Sequence, residues 1–181
     1  STTGTITGTP TDDLIYEDDE VATITISDVS GGGATESGSQ SVSITITENE
    51  SAPVITMSAS QTSAAENSGT EVTLTLTTSQ AADEDIVVSL SASGTISSSD
   101  YVSTSLSPST VTISAGSTTG TVSATALDDS IYEGNESLTV SISGVSGGGA
   151  TESGTQSITF TIVENESAPV ITLATSHTTV A

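Results

Sequence analysis

Apolar side chains alternate with serine and threonine through most of this chain. EVTLTLT sets Val72, Leu74 and Leu76 on one face, ESLTVSI does the same with Leu138, Val140 and Ile142, and QSITFTI with Ile158, Phe160 and Ile162. A period of two marks a strand with one buried face, because successive side chains of extended backbone point to opposite sides. The pattern predicts seven strands, over 54–60, 71–78, 85–92, 110–114, 119–126, 137–143 and 156–163. Turns rich in Gly, Ser and Asn separate them, and no stretch carries the period of a useful helix. Seven short strands in one unit predict an all-β fold, an immunoglobulin-like seven-stranded sandwich.

Self-similarity sets the organisation. Residues 1–65 align without a gap on 117–181, an offset of 116, with 41 of 65 positions identical. VSGGGATESG stands at 29 and again at 145, and ENESAPVIT at 48 and again at 164. The expected arrangement is a set of sandwich repeats in tandem: 1–50 the second half of one, 51–166 a complete one, 167–181 the first strand of the next.

Charge then narrows the chemistry. The chain has 23 acidic residues, one His and neither Lys nor Arg, a formal net charge of −23. No Lys or Arg salt bridge can form, so acids held close together must be hydrated, protonated or bound to a cation from solution. Such a surface repels nucleic acid and anionic lipid, both of which are bound through Lys and Arg. There is no cysteine, hence no disulfide and no thiolate metal site, and metal binding is the other common staple of a small domain. No apolar run approaches the roughly 20 residues of a membrane helix, and no secretory leader opens the stretch, so location is inferred indirectly.

The acids sort by position in the sandwich. If neighbouring strands are antiparallel, the loops after the first, third and fifth strands meet the segment after the seventh at one end. That end collects Glu66, Asp100, Asp128, Asp129, Glu133, Glu136, Glu164 and Glu166; the other has Asp83, Glu84 and Glu152. Two carboxylates about 5 Å apart repel by roughly 3 kcal/mol at an effective dielectric near 20. Calcium answers that repulsion, being a hard cation that takes several oxygens in flexible geometry. Magnesium demands a stricter octahedron, and zinc wants His or Cys.

The blocks SSSDY, ISAGSTTGTV, LDDSIYEGNESLTVSISGVSGG and ITFTIVENE, in that order within 51–166, resemble the Calx-beta domain, an immunoglobulin-like sandwich of sodium/calcium exchangers and very large bacterial surface proteins. The resemblance implies Ca2+ held by Glu66, Asp100, Asp128, Asp129, Glu133, Glu164 and Glu166, with the Ile131 carbonyl. It extends by repetition to Asp12, Asp13, Glu17, Glu48 and Glu50. One departure stands out, since the cluster after the last strand is Asp-rich in that family and here reads Glu164, Asn165, Glu166.

Plainer readings stand beside these. The DDxxYE block can be a solvated turn in which Asp caps its own backbone. The glycine-rich GVSGGGATESG has no Lys and precedes no helix, so it is expected to be a flexible hairpin rather than a phosphate cradle. Tyr16 and Tyr132 are expected to pack near the acidic loop, and His177, which aligns with Gln61, to be a surface variant. Asn49, Asn135 and Asn165 head NES sequons. Catalysis is not expected, for want of Cys, Lys, Arg and the aromatic platforms of a sugar groove. The expected role is a calcium-rigidified spacer of a large bacterial surface adhesin, extracellular, with neighbouring repeats as its partners. The alternative is a repeat of a self-assembling filament or sheath, paired with other copies.

Overall fold

The computed structural model describes residues 3–103 and 110–176. His177, and with it the end of the 167–181 segment, lies outside the described residues. In chain order the strands are β1 (Ile15–Tyr16), β2 (Glu20–Thr25), β3 (Ser41–Ile46), β4 (Val54–Ala59), β5 (Ser63–Ala65), β6 (Glu71–Thr78), β7 (Ala81–Ala82), β8 (Ile86–Gly94), β9 (Tyr101–Ser103), β10 (Thr110–Ile113), β11 (Thr119–Ala126), β12 (Glu136–Ser146), β13 (Thr151–Glu152) and β14 (Ser157–Val163).

The complete repeat is a sandwich of two five-stranded sheets, ordered β10-β8-β12-β14-β5 and β13-β4-β6-β11-β9. Period-two patterning places the core between them, with Ile55, Leu76, Val88 and Ile113 wholly buried and Leu74, Leu90, Val122, Val140 and Ile142 nearly so. The residues of opposite parity are the Ser and Thr that face water. The core is aliphatic and loosely filled at one end, where a cavity of about 60 Å³ lies between Ala59, Val72, Ala124, Leu138 and Phe160.

Two features position the acidic end. The chain changes sheets between β4, antiparallel to β6, and β5, parallel to β14. That switch delivers Glu66 straight into a 3-10 turn, Glu66–Ser68, which Gly69 closes in the left-handed conformation at φ 59°. The link between β8 and β10 is likewise pinned, because the Leu127 N–H donates to the Asp100 carbonyl at 2.9 Å and β9 pairs with β11.

The half repeat forms the hairpin β2–β3, with Val21↔Thr45 and Ile24↔Val42 in register. Its apolar face stays open, Ile24 at 42% and Ile44 at 51% exposure, because three strands of the sheet that covers it in 51–166, β4, β6 and β9, have no counterpart in 1–50. Val170, Ile171 and Leu173 are exposed and in no strand, since none of the described residues runs alongside to pair with them.

Two expectations are corrected. The turn Gly147–Gly149 is close-packed rather than a free hairpin: a Cβ on Gly147 would lie 2.1 Å from the Asp85 carbonyl oxygen, and on Gly148 2.7 Å from the Ala82 Cβ. Tyr132 stands 45% exposed, and Tyr16 not only bonds to Asp18 in its own acidic block but also packs against this glycine turn of the following repeat.

Candidate metal centre

Immediately after β14, Glu164 organises the end of the sandwich. Its carboxylate accepts the N–H groups of Glu133 at 2.6 Å, Gly134 at 2.7 Å, and Asn165 and Glu166 at 2.9 Å. These amides, Glu166 and Glu133 foremost, outweigh burial and hold its carboxyl down at about 2. The Glu164 N–H in turn donates to Asn135 Oδ1 at 3.1 Å. Asn165 reaches both ways, its Nδ2 donating to Asp128 Oδ1 at 3.2 Å and Glu166 Oε1 at 3.1 Å. Asn135 and Asn165, two of the three sequon asparagines, are therefore struts of the site.

Around Glu164 the carboxylates converge in three overlapping triads, each with one oxygen per residue within 4.8 Å of the others: Glu66 with Glu164 and Glu166, Glu66 with Asp129 and Glu133, and Asp100 with Glu133 and Glu136. Glu66 joins the first pair of triads and Glu133 the second, so the three form one continuous run. Glu66 and Asp100 are the buried members, 6% and 7% exposed.

The electrostatics follow from crowding without a cation. Burial, then the charges of Glu164 and Asp129, push the Glu66 carboxyl up. Burial, then Asp100, Asp129 and Glu164, do the same to Glu133. Glu136 is pushed up to about 7 by burial, by the Asp100 charge and by their shared hydrogen bond. Glu166 is also pushed up to about 7, first by its hydrogen bond to Glu164, then by burial and by the charges of Glu164 and Glu66. Asp100 is the exception. Burial raises it, but bonds from the Ser97 N–H at 2.5 Å, the Ser97 and Ser99 hydroxyls and Glu136 outweigh this and hold it below its ordinary value.

The residues present fit a hard divalent cation. Every donor is an oxygen, and Glu166, a member of the first triad, has an Oε2 that is buried with no hydrogen-bond partner. Of the residues expected to bind metal, the structure brings together Glu66, Asp100, Asp129, Glu133, Glu164 and Glu166. Asp128 stands outside the triads, held by Asn165. At Ile131 it is the N–H that is engaged, donating to Asp129 Oδ1 at 2.6 Å. Glu136 joins the third triad although the motif comparison passed over it; the signal was its place at the start of a strand beside the acidic loop.

The half repeat builds the same frame. Glu48 accepts N–H bonds from Glu17 and, at 2.7 Å, from Asn49 and Glu50, while Asn49 Nδ2 donates to Asp12 Oδ1 at 3.0 Å. Asp13 Oδ1 accepts from the Ile15 N–H at 2.8 Å, repeating the Asp129 turn. Among the described residues, however, Asp12, Asp13, Glu17, Glu48 and Glu50 form no such triad. The counterparts of Glu66 and Asp100 belong to the first half of a repeat, which 1–50 lacks.

The chain has similarity to known proteins. The chain is similar to the apo form of the Calx CBD1 domain (TM-score 0.47, 16% identity, covering 61% of this chain and 97% of that one). It is also similar to CBD12 from CALX1.2 (TM-score 0.49, 14% identity, 61% and 45%) and to domains 1–6 of the surface layer protein SbsC (TM-score 0.28, 15% identity, 84% and 17%). A search of curated proteins gave no match. Residues 48–166 match the Calx-beta domain, and the chain belongs to that family.

Proposed function

We propose that this protein is a calcium-rigidified spacer, a non-enzymatic stalk repeat of a large bacterial surface adhesin working outside the cell. The observation that carries the proposal is the run of three carboxylate triads, one of which includes Glu166 with its unpartnered buried Oε2, in a chain without Lys or Arg. Glu66, Asp100, Asp129, Glu133, Glu136, Glu164 and Glu166 would hold Ca2+, whose charge offsets their mutual repulsion. Glu164 and Glu166 begin the linker to the next repeat, so neutralising them stiffens the joint as well as the domain. Affinities of extracellular calcium modules fall at about 10⁻⁴ to 10⁻³ M, which seawater or serum satisfies and cytosol does not.

Small-angle scattering tests this. The expected result is a longer maximum dimension in millimolar calcium than in chelator; equal dimensions would remove the stalk reading. Calorimetric titration of the chain with calcium, beside Asp129→Ala, tests the site separately.

A self-assembling filament or sheath, in which copies of the chain pair edge to edge, is the competing reading. Ultracentrifugation separates the two: a spacer sediments as a monomer at every concentration, with or without calcium.

A further inference from the structure

The dipeptide Ile-Tyr occurs twice inside the acidic block, at Ile15–Tyr16 and at Ile131–Tyr132, in ten-residue stretches identical at six positions. Its two copies are buried differently. Ile131 is 61% and Tyr132 45% exposed, whereas Ile15 and Tyr16 are half-buried. What covers the first copy is the far end of the next repeat.

That contact has two parts. The backbone of β1 runs parallel to β7, with Ile15↔Ala81 and Tyr16↔Ala82 as partners, and the Asp83 N–H donates to the Tyr16 carbonyl at 3.1 Å. The hydroxyl edge of the Tyr16 ring sits against the glycine turn: a Cβ on Gly149 would stand 2.6 Å from its Cε1, 2.8 Å from its hydroxyl oxygen and 2.9 Å from its Cζ, and the turn residue has φ +59°. Any side chain there would displace the ring. Gly147 and Gly148 hold the floor, packed on the Asp85 carbonyl and on Ala82, which is 1% exposed. The acidic end of one repeat thus meets the glycine end of the next through an apolar and hydrogen-bonded contact; beside it the Tyr16 hydroxyl donates to Asp18 Oδ1 at 3.3 Å, and the Glu17 carboxylate feels the charge of Asp83 across the joint.

We infer that Ile15–Tyr16 is a plug and the β7 edge with the Gly147–Gly149 turn its socket, a metal-independent dock that orients each repeat on its successor. Ile131–Tyr132 is the same plug offered to the socket of a following repeat, for which Gly31–Gly33 conserves the glycine turn within this chain. The inference rests on the repeat organisation and not on calcium. Stiffness then has two sources, a fixed angle from the dock and closure of the acidic loops from the ion.

The absence of cysteine allows a clean test in the full chain. Nitroxide labels at Thr45→Cys and Thr121→Cys, exposed positions on β3 and β11, report the angle of the joint by pulsed electron spin resonance. In chelator the dock gives one narrow distance distribution, kept in Tyr16→Phe and broadened at least twofold in Tyr16→Ala and in Gly149→Val. Tyr16→Ala decides the outcome if Gly149→Val disturbs the turn, and thermal melts confirm that the sandwich itself is intact. A distribution that is broad in chelator and narrow only in calcium would overturn the dock while upholding calcium rigidity. One that stays narrow in Tyr16→Ala would overturn it too. A narrow distribution in chelator, lost in Tyr16→Ala and unaffected by calcium, would support the dock and count against the calcium spacer.

Discussion

Glu66→Gln isolates the repulsion that the acidic end carries without metal. The substitution keeps size, turns one acceptor oxygen into an NH2 donor and removes one charge from two triads at once. With oxygens within 4.8 Å, one ionised pair repels by about 3.5 kcal/mol at an effective dielectric of about 20 and about 0.9 kcal/mol in bulk water. Glu66 is buried, but Asp129 and Glu133 are exposed and Glu166 carries part of a proton near neutrality, so the lower end applies. The metal-free variant is therefore expected to be more stable than the parent by about 1–2 kcal/mol at pH 8, or roughly 4–8 °C in melting temperature for a domain of this size. Calcium reverses the order. At about a hundred times its dissociation constant a ligand adds about 2.7 kcal/mol to the parent, and a variant that has lost a shared ligand gains far less. The assay is a pair of thermal melts followed by circular dichroism, in chelator and in 10 mM calcium. A Glu66→Gln variant less stable than the parent in chelator, or with the same calcium shift as the parent, would refute the reasoning.

Acidity should act on the metal-free protein in an unusual direction. Glu136 and Glu166, raised to about 7, stabilise the fold fully below their unfolded value of about 4.5 and lose that contribution as pH rises through 7. Glu164, held at about 2, contributes above its unfolded value and loses this only as pH falls through 2. Urea midpoints in chelator are thus higher at pH 5 than at pH 8, and equal or inverted midpoints count against the site electrostatics. Glu164→Gln leaves the amides of Glu133, Gly134, Asn165 and Glu166 without their anion, so it should loosen the loop even without calcium, visible as faster amide exchange at those residues. Leu76→Ala, at a wholly buried position, should cost about 2–5 kcal/mol in a denaturant titration. Ala124→Val, which points a larger group at the 60 Å³ cavity, should add about 0.5–1 kcal/mol in the same titration.

Most strands were legible because alternation is a local signal. The predicted 71–78 and 119–126 coincide with β6 and β11, which pair along their whole length. The long strand β12 was underestimated at its end. GVS reads as the start of a turn, yet a register shift between Ile142 and Gly144 lets Val145 and Ser146 go on pairing with β8. The extra strand β5 was invisible for the opposite reason: three small residues, SAA, carry no alternation, and only the neighbouring β14 makes them a strand. Within the site, the acids that share one loop were readable from spacing. The part played by Glu136, and the retreat of Asp128 to Asn165, depend on which way each side chain leaves its backbone.

The chain by itself determined an all-β sandwich, the self-similarity of 1–65 with 117–181, the grouping of its acids in a few loops, and the lack of Lys or Arg to neutralise them. These are matters of period, identity and charge, which need no coordinates. Tertiary structure alone decided that the carboxylates join into three linked triads, that Glu164 is an anion fixed by four amides, and that Tyr16 rests on a glycine turn more than a hundred residues away. Such facts hang on distances between segments remote in sequence, set by how the two sheets pack and by where the chain crosses from one to the other.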